Sequence, residues 1–478
     1  MYATEGLDSL LPELEGAGAV RVCGIESDSR RVRPGQLFVG LHSRHGDGAR
    51  FLAQALAAGA AAALLQGPEL RRDTVDGQPV WVHPEAPRLL GEALRRWYHW
   101  QGRAPGLIGV TGTNGKSSVT WLIAQLAGAE VIGTLGAGPL TALQPLANTT
   151  PAAVELWSLL GAARQRRAQW LAMEVSSHAL ALERVAGVPF TAAVFTNLSR
   201  DHLDFHGSMA AYGAAKAKLF TNPALQLAVL NADDPFSAEL RTHLHPDVRI
   251  VGYGFGAGDY RVREYHPGAR ATLLVIDTPA GTRPLRIPLM GMANARNFLA
   301  ALAAVEGLGM DVDPQVLAAL RLPPGRYQRL SPRTPQQPDV LVDYAHTPDA
   351  LRQVLEDLRT VAKGRITVVF GCGGDRDRGK RPEMGAVAAA LADRVLLTDD
   401  NPRSEDPAAI VAEILAGMPA GRAEVCHDRA AAIARAIGEA EHGDWVLIAG
   451  KGHEQTQESA GAKRPCDDVE LATRALQP

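Results

Sequence analysis

A chain of 478 residues exceeds what a single hydrophobic core usually organises, so two or three domains of ordinary size are expected. With 46% hydrophobic and 21% charged residues, the composition excludes both a disordered chain and a disulfide-stapled miniature. A net charge of -3 offers no global positive field to nucleic acid or to an anionic membrane surface, so any anionic ligand must be captured locally.

Cys23, Cys372, Cys426 and Cys466 are scattered without a C-x-x-C pair, which implies free thiols, a reducing compartment and no structural zinc. Residues 1–16 are acidic and lack a basic segment followed by an apolar one, so no signal peptide is expected and the chain is placed in the cytoplasm. Residues 51–66 form the most apolar run, but Gln54, Gly59 and Gln66 lie in it. The run therefore reads as a helix leading into a strand at 61–65, not as a membrane span.

Short apolar runs that end in loops and precede helical patterns recur along the rest of the chain. This alternation predicts an α/β fold with mostly parallel sheets. The first block closes with a helix rich in Leu and Arg near Arg96, before a polar linker at 99–105. A second block opens with a strand at 107–110 and runs to about Leu322, where Pro323-Pro324-Gly325 breaks the pattern. The third alternates through strands at 340–344, 366–370, 394–398 and 445–449, and most of its unusual residues lie in the loops after them. Three domains at 1–98, 99–325 and 326–478 are expected.

The run Gly112-Thr113-Asn114-Gly115-Lys116-Ser117-Ser118 falls between the strand at 107–110 and a helical pattern at 119–126. Glycines let backbone N–H groups close around phosphate oxygens, and the helix N-terminus adds positive potential. Lys116 can reach the β- and γ-phosphates, and Ser117 can ligate Mg²⁺. The strict G-x-x-x-x-G-K-[ST] pattern fails only at its first position, where Val110 stands. Nucleotide binding is expected, but the loop does not identify the reaction.

Glu174 follows the apolar run 170–172 in Glu174-Val175-Ser176-Ser177-His178. Thr196-Asn197-Leu198-Ser199-Arg200-Asp201-His202 follows the run 192–195. Oxygen and imidazole ligands at neighbouring strand ends suit Mg²⁺ beside a triphosphate.

The ordered set G-T-N-G-K-S, E-V-S-S-H, T-N-L-S-R-D-H-L-D, Y-G-A-A-K, N-A-R-N and D-Y-A-H-T-P-D resembles the Mur ligases over nearly the whole chain. The resemblance implies an N-terminal UDP-substrate domain, a central P-loop ATPase domain with a mostly parallel sheet and a C-terminal Rossmann-like domain. It makes Lys116, Glu174, His202 and Lys216 catalytic, with Ser117, Glu174, His202 and a carbamylated Lys216 as metal ligands. It adds Asn297, Arg326 and Asp343 to the phosphate loop as ATP contacts.

The same resemblance assigns Ser27, Ser29, Arg44, His45 and Gly46 to the UDP-muramoyl end of the substrate. It assigns Asn148, Thr149, Thr150, Ser176, Leu182 and Arg184 to its dipeptide. Leu182 departs from the glutamine common in the family. Arg376, Asp400, Asn401, Pro402, Arg403, Gly450 and Glu454 match the positions that receive diaminopimelate, with D-N-P-R as the recognising run. The implied partners are ATP, a UDP-muramoyl dipeptide and meso-diaminopimelate, without nucleic acid or membrane insertion, for a monomer. The same ligation with L-lysine, a folate-polyglutamate ligase and a phosphate-loop binding protein without ligase activity are the alternatives.

Overall fold

The computed structural model describes residues 4–43, 46–100, 102, 104–330, 334 and 336–477. Three principal sheets follow one another along the chain. The first has the strand order Ile25–Glu26, Leu37–Gly40, Ala62–Gln66, Gln78–His83, Arg71–Val75, with only the last pair antiparallel. In the Ala-rich run the helix is short, Leu52–Ala57, because Gly59 turns the chain with φ of 92° before the strand Ala62–Gln66 begins.

Seven parallel strands form the middle of the second sheet, in the order Glu130–Gly133, Trp170–Glu174, Gly106–Thr111, Ala192–Phe195, Leu227–Asn231, Arg249–Gly254, Tyr260–His266. Central members such as Ala192–Phe195 and Leu227–Asn231 are buried at every position, which is why they read as unbroken apolar runs. Thr272–Thr278 and Gly281–Ile287 extend one edge as an antiparallel hairpin. Burial alternates along both of these strands, as a sheet with one solvated face requires.

Helices Lys116–Ala127 and Met292–Gly307 cover one face, packing Val119, Leu122 and Ile123 into a core with Phe298, Leu299 and Leu302. The opposite face carries Leu156, Trp157 and Leu160 of helix Ala153–Gln165, in one core with Leu90 and Leu94 of helix Ala86–Trp97. The first segment is thus joined to the central sheet by a continuous apolar core. Their backbones also meet: a Cβ on Gly91 would lie 2.1 Å from the carbonyl oxygen of Ala186.

The third sheet has the order Gln328–Leu330, Asp339–Asp343, Trp445–Ala449, Ile366–Phe370, Arg394–Leu397, Glu424–Val425, parallel except for its first pair. Separate apolar cores on its two faces make it doubly wound, in keeping with the expected α/β class. On one face the closing helix Asp468–Ala475 is tied in by a buried ion pair. Arg429 donates from Nε and Nη2 to the two Asp468 carboxylate oxygens at 2.6 and 2.7 Å, and Nη2 also reaches the Ala449 carbonyl at 3.0 Å.

Removing one partner of such a pair strands a buried charge. Asp468→Ala is therefore expected to lower stability by about 3–5 kcal/mol, read as a reduced denaturant midpoint. A midpoint equal to that of the unmutated protein would show that the pair does not hold the helix.

Candidate functional site

The strand Gly106–Thr111 lies between Trp170–Glu174 and Ala192–Phe195, and the chain leaves its end toward one neighbour before returning to build on the other. Ligand crevices of open α/β sheets form at such reversals. Here the crevice holds the phosphate loop. Gly112 has φ of 151°, and a Cβ on it would stand 1.8 Å from Thr196 Oγ1, so only glycine lets the loop lie this close to the next strand end. Thr196 Oγ1 and Asn197 Nδ2 both donate to the Asn114 carbonyl, at 2.6 and 3.1 Å, while Asn197 Oδ1 accepts from the Asn114 N–H at 2.9 Å.

Helix Lys116–Ala127 starts directly after Gly115, with its N-terminus aimed into the crevice. The Lys116 ammonium donates to the carbonyls of Gly112 and Thr113, at 2.9 Å each. Desolvation pulls its pKa below the ordinary lysine range, opposed by Glu174 and Asp201.

Glu174, at the end of the neighbouring strand, is buried and saturated with donors. Its Oε2 accepts from Ser117 Oγ at 2.8 Å and from Thr134 Oγ1 at 3.2 Å, and its Oε1 accepts from the Thr134 N–H at 2.8 Å. Thr149 Oγ1 lies 3.0 Å from Thr134 Oγ1. Thr150 Oγ1 donates to the Glu174 carbonyl at 2.9 Å and accepts from the Ser176 N–H at 3.0 Å. Arg184 donates to the Thr150 carbonyl at 3.2 Å. The stretch 148–150 is thereby fastened to the strand end that presents Glu174.

Lys216, on helix Met209–Ala217, lines one cavity with residues 112–117 and Glu174. It is 1% exposed, and its Nζ sits 4.1 Å from the Tyr212 ring centroid. Among the described residues it has no hydrogen bond or ion pair. Burial, aided by the nearby Lys116 charge, pushes its pKa well below the ordinary lysine value. His202, held at φ of 54°, is brought down to about 3 by burial and is neutral at neutral pH. Burial raises the carboxyl of adjacent Asp201, but His202, His346 and Lys380 outweigh it and hold that group below its usual range. His346 Nδ1 lies 2.9 Å from the Tyr344 carbonyl, while Nε2 is 3.8 Å from Asp201 Oδ2.

Three cavities adjoin along the crevice. The first is lined by Asn114, Gly115, Ser118, Asn297, Arg326 and Asp343, together with Asp234 and Gln353. In the second, residues 112–117 face Asn148, Thr149, Thr150, Glu174, Ser176, Leu182, Arg184, His202, Lys216, Arg326 and Arg376. The third is lined by Arg376, Asp400, Asn401, Arg403, Gly450 and Glu454, with Asp201, His202 and Lys380. Here Asn401 donates to Glu454 Oε2 at 2.7 Å, and Arg403, with φ of 53°, donates to the Gly374 carbonyl at 2.8 Å. Burial raises the Asp400 carboxyl against the pull of Arg429 and Lys451.

Most sequence-predicted residues therefore converge. Pro402 lines none of the three cavities; its carbonyl accepts from the Glu405 N–H at 3.0 Å. Ser27, Ser29 and Gly46 also stand apart from them. Ser29 Oγ donates to Gln54 at 2.9 Å, and Gly46 begins an exposed strand of a small hairpin. Arg44 and His45 lie outside the described residues. Sequence reasoning placed Asp201 in the candidate metal cluster without a role of its own, and gave none to Thr134, Tyr212, Tyr344, His346 and Lys380. Tyr344 and His346 stood inside a motif already noticed, whereas no local pattern marks Thr134 or Lys380.

Residues 110–305 match the Mur ligase middle domain, and residues 325–452 match the Mur ligase glutamate ligase domain. A UDP-N-acetylmuramoyl-L-alanyl-D-glutamate--2,6-diaminopimelate ligase from Ectopseudomonas mendocina is 46% identical, with 98% of each chain covered. A solved structure carrying the same enzyme name superposes with a TM-score of 0.73 at 35% identity, covering 99% of both chains. The MurF ligase of Thermotoga maritima in complex with ADP shares the fold, with a TM-score of 0.64 at 18% identity over 95% of this chain and 96% of its own. The chain belongs to the Mur ligase family.

Proposed function

We propose that this chain is an ATP-dependent ligase that joins meso-diaminopimelate to the D-glutamate of UDP-N-acetylmuramoyl-L-alanyl-D-glutamate. The observation that carries the reading is the order of the cavities. The first shares Asn114, Gly115, Arg326 and Tyr344 with the second, and the second shares Asp201, His202, Tyr344, His346 and Arg376 with the third. Nucleotide, acyl donor and amine can thus lie in line along one crevice. The 46% identity to a ligase bearing this activity in its name supports the same assignment.

In this reading Asn297 and Asp343 hold the nucleoside, while the loop N–H groups and Lys116 hold the phosphates. The γ-phosphoryl passes to the D-glutamate γ-carboxylate, giving an acyl phosphate and ADP; the neutral amine then attacks the acyl carbon, phosphate leaves with the electron pair of the broken C–O bond, and the nitrogen releases a proton to give the amide. Arg184, tied to residue 150, offers a fork to a substrate carboxylate.

Ser117 Oγ and Glu174 Oε2 meet at the start of the loop helix beside the Thr134 and Thr149 hydroxyls, a hard oxygen set that fits Mg²⁺. His202 and a carbamylated Lys216 complete the proposed ligands, and the ion would neutralise phosphate charge. Lys216 suits carbamylation because burial lowers its pKa and so favours the neutral amine, which adds to CO₂, forms an N–C bond and releases a proton.

Lys116→Ala is expected to reduce amide formation from ATP, UDP-dipeptide and diaminopimelate by at least about 100-fold, because a positioned donor to transferring charge is worth roughly 10²–10³. Turnover within a factor of two of the unmutated enzyme would remove Lys116 from the reaction.

A sample equilibrated with ¹³C-bicarbonate should show a carbamate ¹³C resonance that is absent from Lys216→Ala, and CO₂-depleted buffer should lower activity. A spectrum identical in both proteins would exclude the modification.

Amino-acid choice tests the third cavity. Diaminopimelate carries a distal carboxylate that lysine lacks, and Arg403 offers a planar fork for it while Glu454 takes the distal amine. Leaving a charged partner unmet costs about 1.5–3 kcal/mol, so kcat/KM should favour diaminopimelate over L-lysine at least tenfold, and Arg403→Ala should erase most of that preference. Equal kcat/KM for both amino acids in the unmutated enzyme would overturn the assignment.

A further inference from the structure

Asp357 lies on helix Pro348–Val361 of the third segment, is only 3% exposed and lines none of the three cavities. Its carboxylate reaches out of that segment. Oδ1 accepts from the Met292 N–H at 2.8 Å, at the start of the central helix Met292–Gly307, and from Gln353 Nε2 at 3.3 Å. Oδ2 accepts from the Tyr327 hydroxyl at 2.5 Å. Among the described residues no cation stands at ion-pair distance from it, so a buried carboxyl rests on these donors and on the positive end of the central helix. Gly291, which precedes that helix with φ of 93°, has no side chain to cap it, and a Cβ there would lie 2.4 Å from Asp357 Oδ2. The cap is therefore supplied across the boundary between segments.

Packing reinforces this joint. Met290, just before the central helix, is buried in one apolar core with Leu351, Leu355 and Leu358 of helix Pro348–Val361, and Tyr327 packs against the same core. The elements gathered by Asp357 all line the first cavity: Asn294 and Asn297 come from the central helix, Arg326 and Tyr327 from the linker, and Gln353 from helix Pro348–Val361. Of these five, only Arg326 also lines the second cavity, and none lines the third. We propose that Asp357 is a positioning residue for the nucleotide: from behind the first cavity it ties Tyr327 and the first turn of helix Met292–Gly307 to the third sheet, and so sets the spacing between Asn297 on one wall and Arg326 and Gln353 on the other.

This inference rests on the reading of the first cavity as the nucleotide site, which ADP binding by the unmutated protein checks separately. Loss of the latch then falls on the nucleotide. Residues 148–150 are fastened instead to the Glu174 strand end, through Thr150 and Thr149, and do not depend on Asp357.

The experiment measures ADP binding by calorimetry with Mg²⁺, and KM for ATP and for the UDP-dipeptide, in the unmutated enzyme, Tyr327→Phe, Asp357→Ala and the double variant. Tyr327→Phe removes a single hydroxyl and keeps the test open should Asp357→Ala fail to fold. Each single variant is expected to raise the Kd for ADP and the KM for ATP roughly tenfold, with KM for the UDP-dipeptide within about twofold of its original value. Because both substitutions break the same bond, the double variant should lose little more than Asp357→Ala alone. Unchanged ADP affinity in Tyr327→Phe would overturn the proposal. So would losses that multiply in the double variant, or an equal rise in both KM values with a lowered denaturant midpoint, which would make Asp357 a residue of the fold alone. Absence of ADP binding in the unmutated protein would overturn the nucleotide reading itself, and this inference with it.

Discussion

The geometry of the site depends on one close approach, that of the Gly112 backbone to the strand end at Thr196. With 1.8 Å between a hypothetical Cβ and Thr196 Oγ1, no side chain fits at position 112. That absence lets Thr196 and Asn197 grip Asn114 from one side. On the other side, Ser117 meets Glu174, whose strand also pairs directly with Gly106–Thr111. The loop is therefore held by both neighbouring strands, so the start of its helix cannot shift without disturbing the carboxylate. Preorganised donors of this kind need no rearrangement when charge moves during phosphoryl transfer.

Burial of unpaired amines is the second feature of the crevice. Among the described residues Lys216 and Lys380 have no hydrogen bond or ion pair, and Lys116 donates to two backbone carbonyls. Desolvation acts on Lys116 and Lys216 alike, but the consequences differ. Lys116 sits near Glu174 and Asp201, which favour its charged form, and a triphosphate would favour it further. For Lys216, burial and the nearby Lys116 charge lower the pKa, against Asp201, which favours its charged form. Both amines are lowered first by burial, and the neighbouring charges decide how far.

Much of this was legible in the sequence because it rests on local pattern. The strands at 192–195, 366–370 and 445–449 are continuous apolar runs and form as read. The phosphate loop and Glu174 follow such runs directly, so their place at the sheet's carboxyl edge follows from chain order. What escaped notice depends on long-range packing. Thr134 reaches Glu174 across 40 positions, and Lys380 joins the third cavity only because its helix follows the loop after Ile366–Phe370. The hairpin Thr272–Thr278 with Gly281–Ile287 extends a largely parallel sheet in the antiparallel sense, and its alternating burial gives no catalytic signal. Ser27, Ser29 and Gly46 stand apart from the crevice because the first sheet lies beyond the core shared by helices Ala86–Trp97 and Ala153–Gln165.

The third sheet does more than line the third cavity, because Tyr344 lines all three. It stands at the end of the strand Asp339–Asp343, and its ring lies 4.4 Å from the Arg326 guanidinium carbon, while Arg326 donates to Ser117 Oγ at 3.3 Å. Asp343, its carboxyl pushed up by burial, accepts from the Tyr327 N–H at 2.8 Å and so fixes the turn that presents Arg326. A chain of contacts therefore runs from the third sheet through Asp343, Tyr327 and Arg326 to the loop serine. Any shift of that sheet away from the central one would remove a wall from every cavity at once and take Arg326 from Ser117. All three cavities are consequently set by a single packing arrangement.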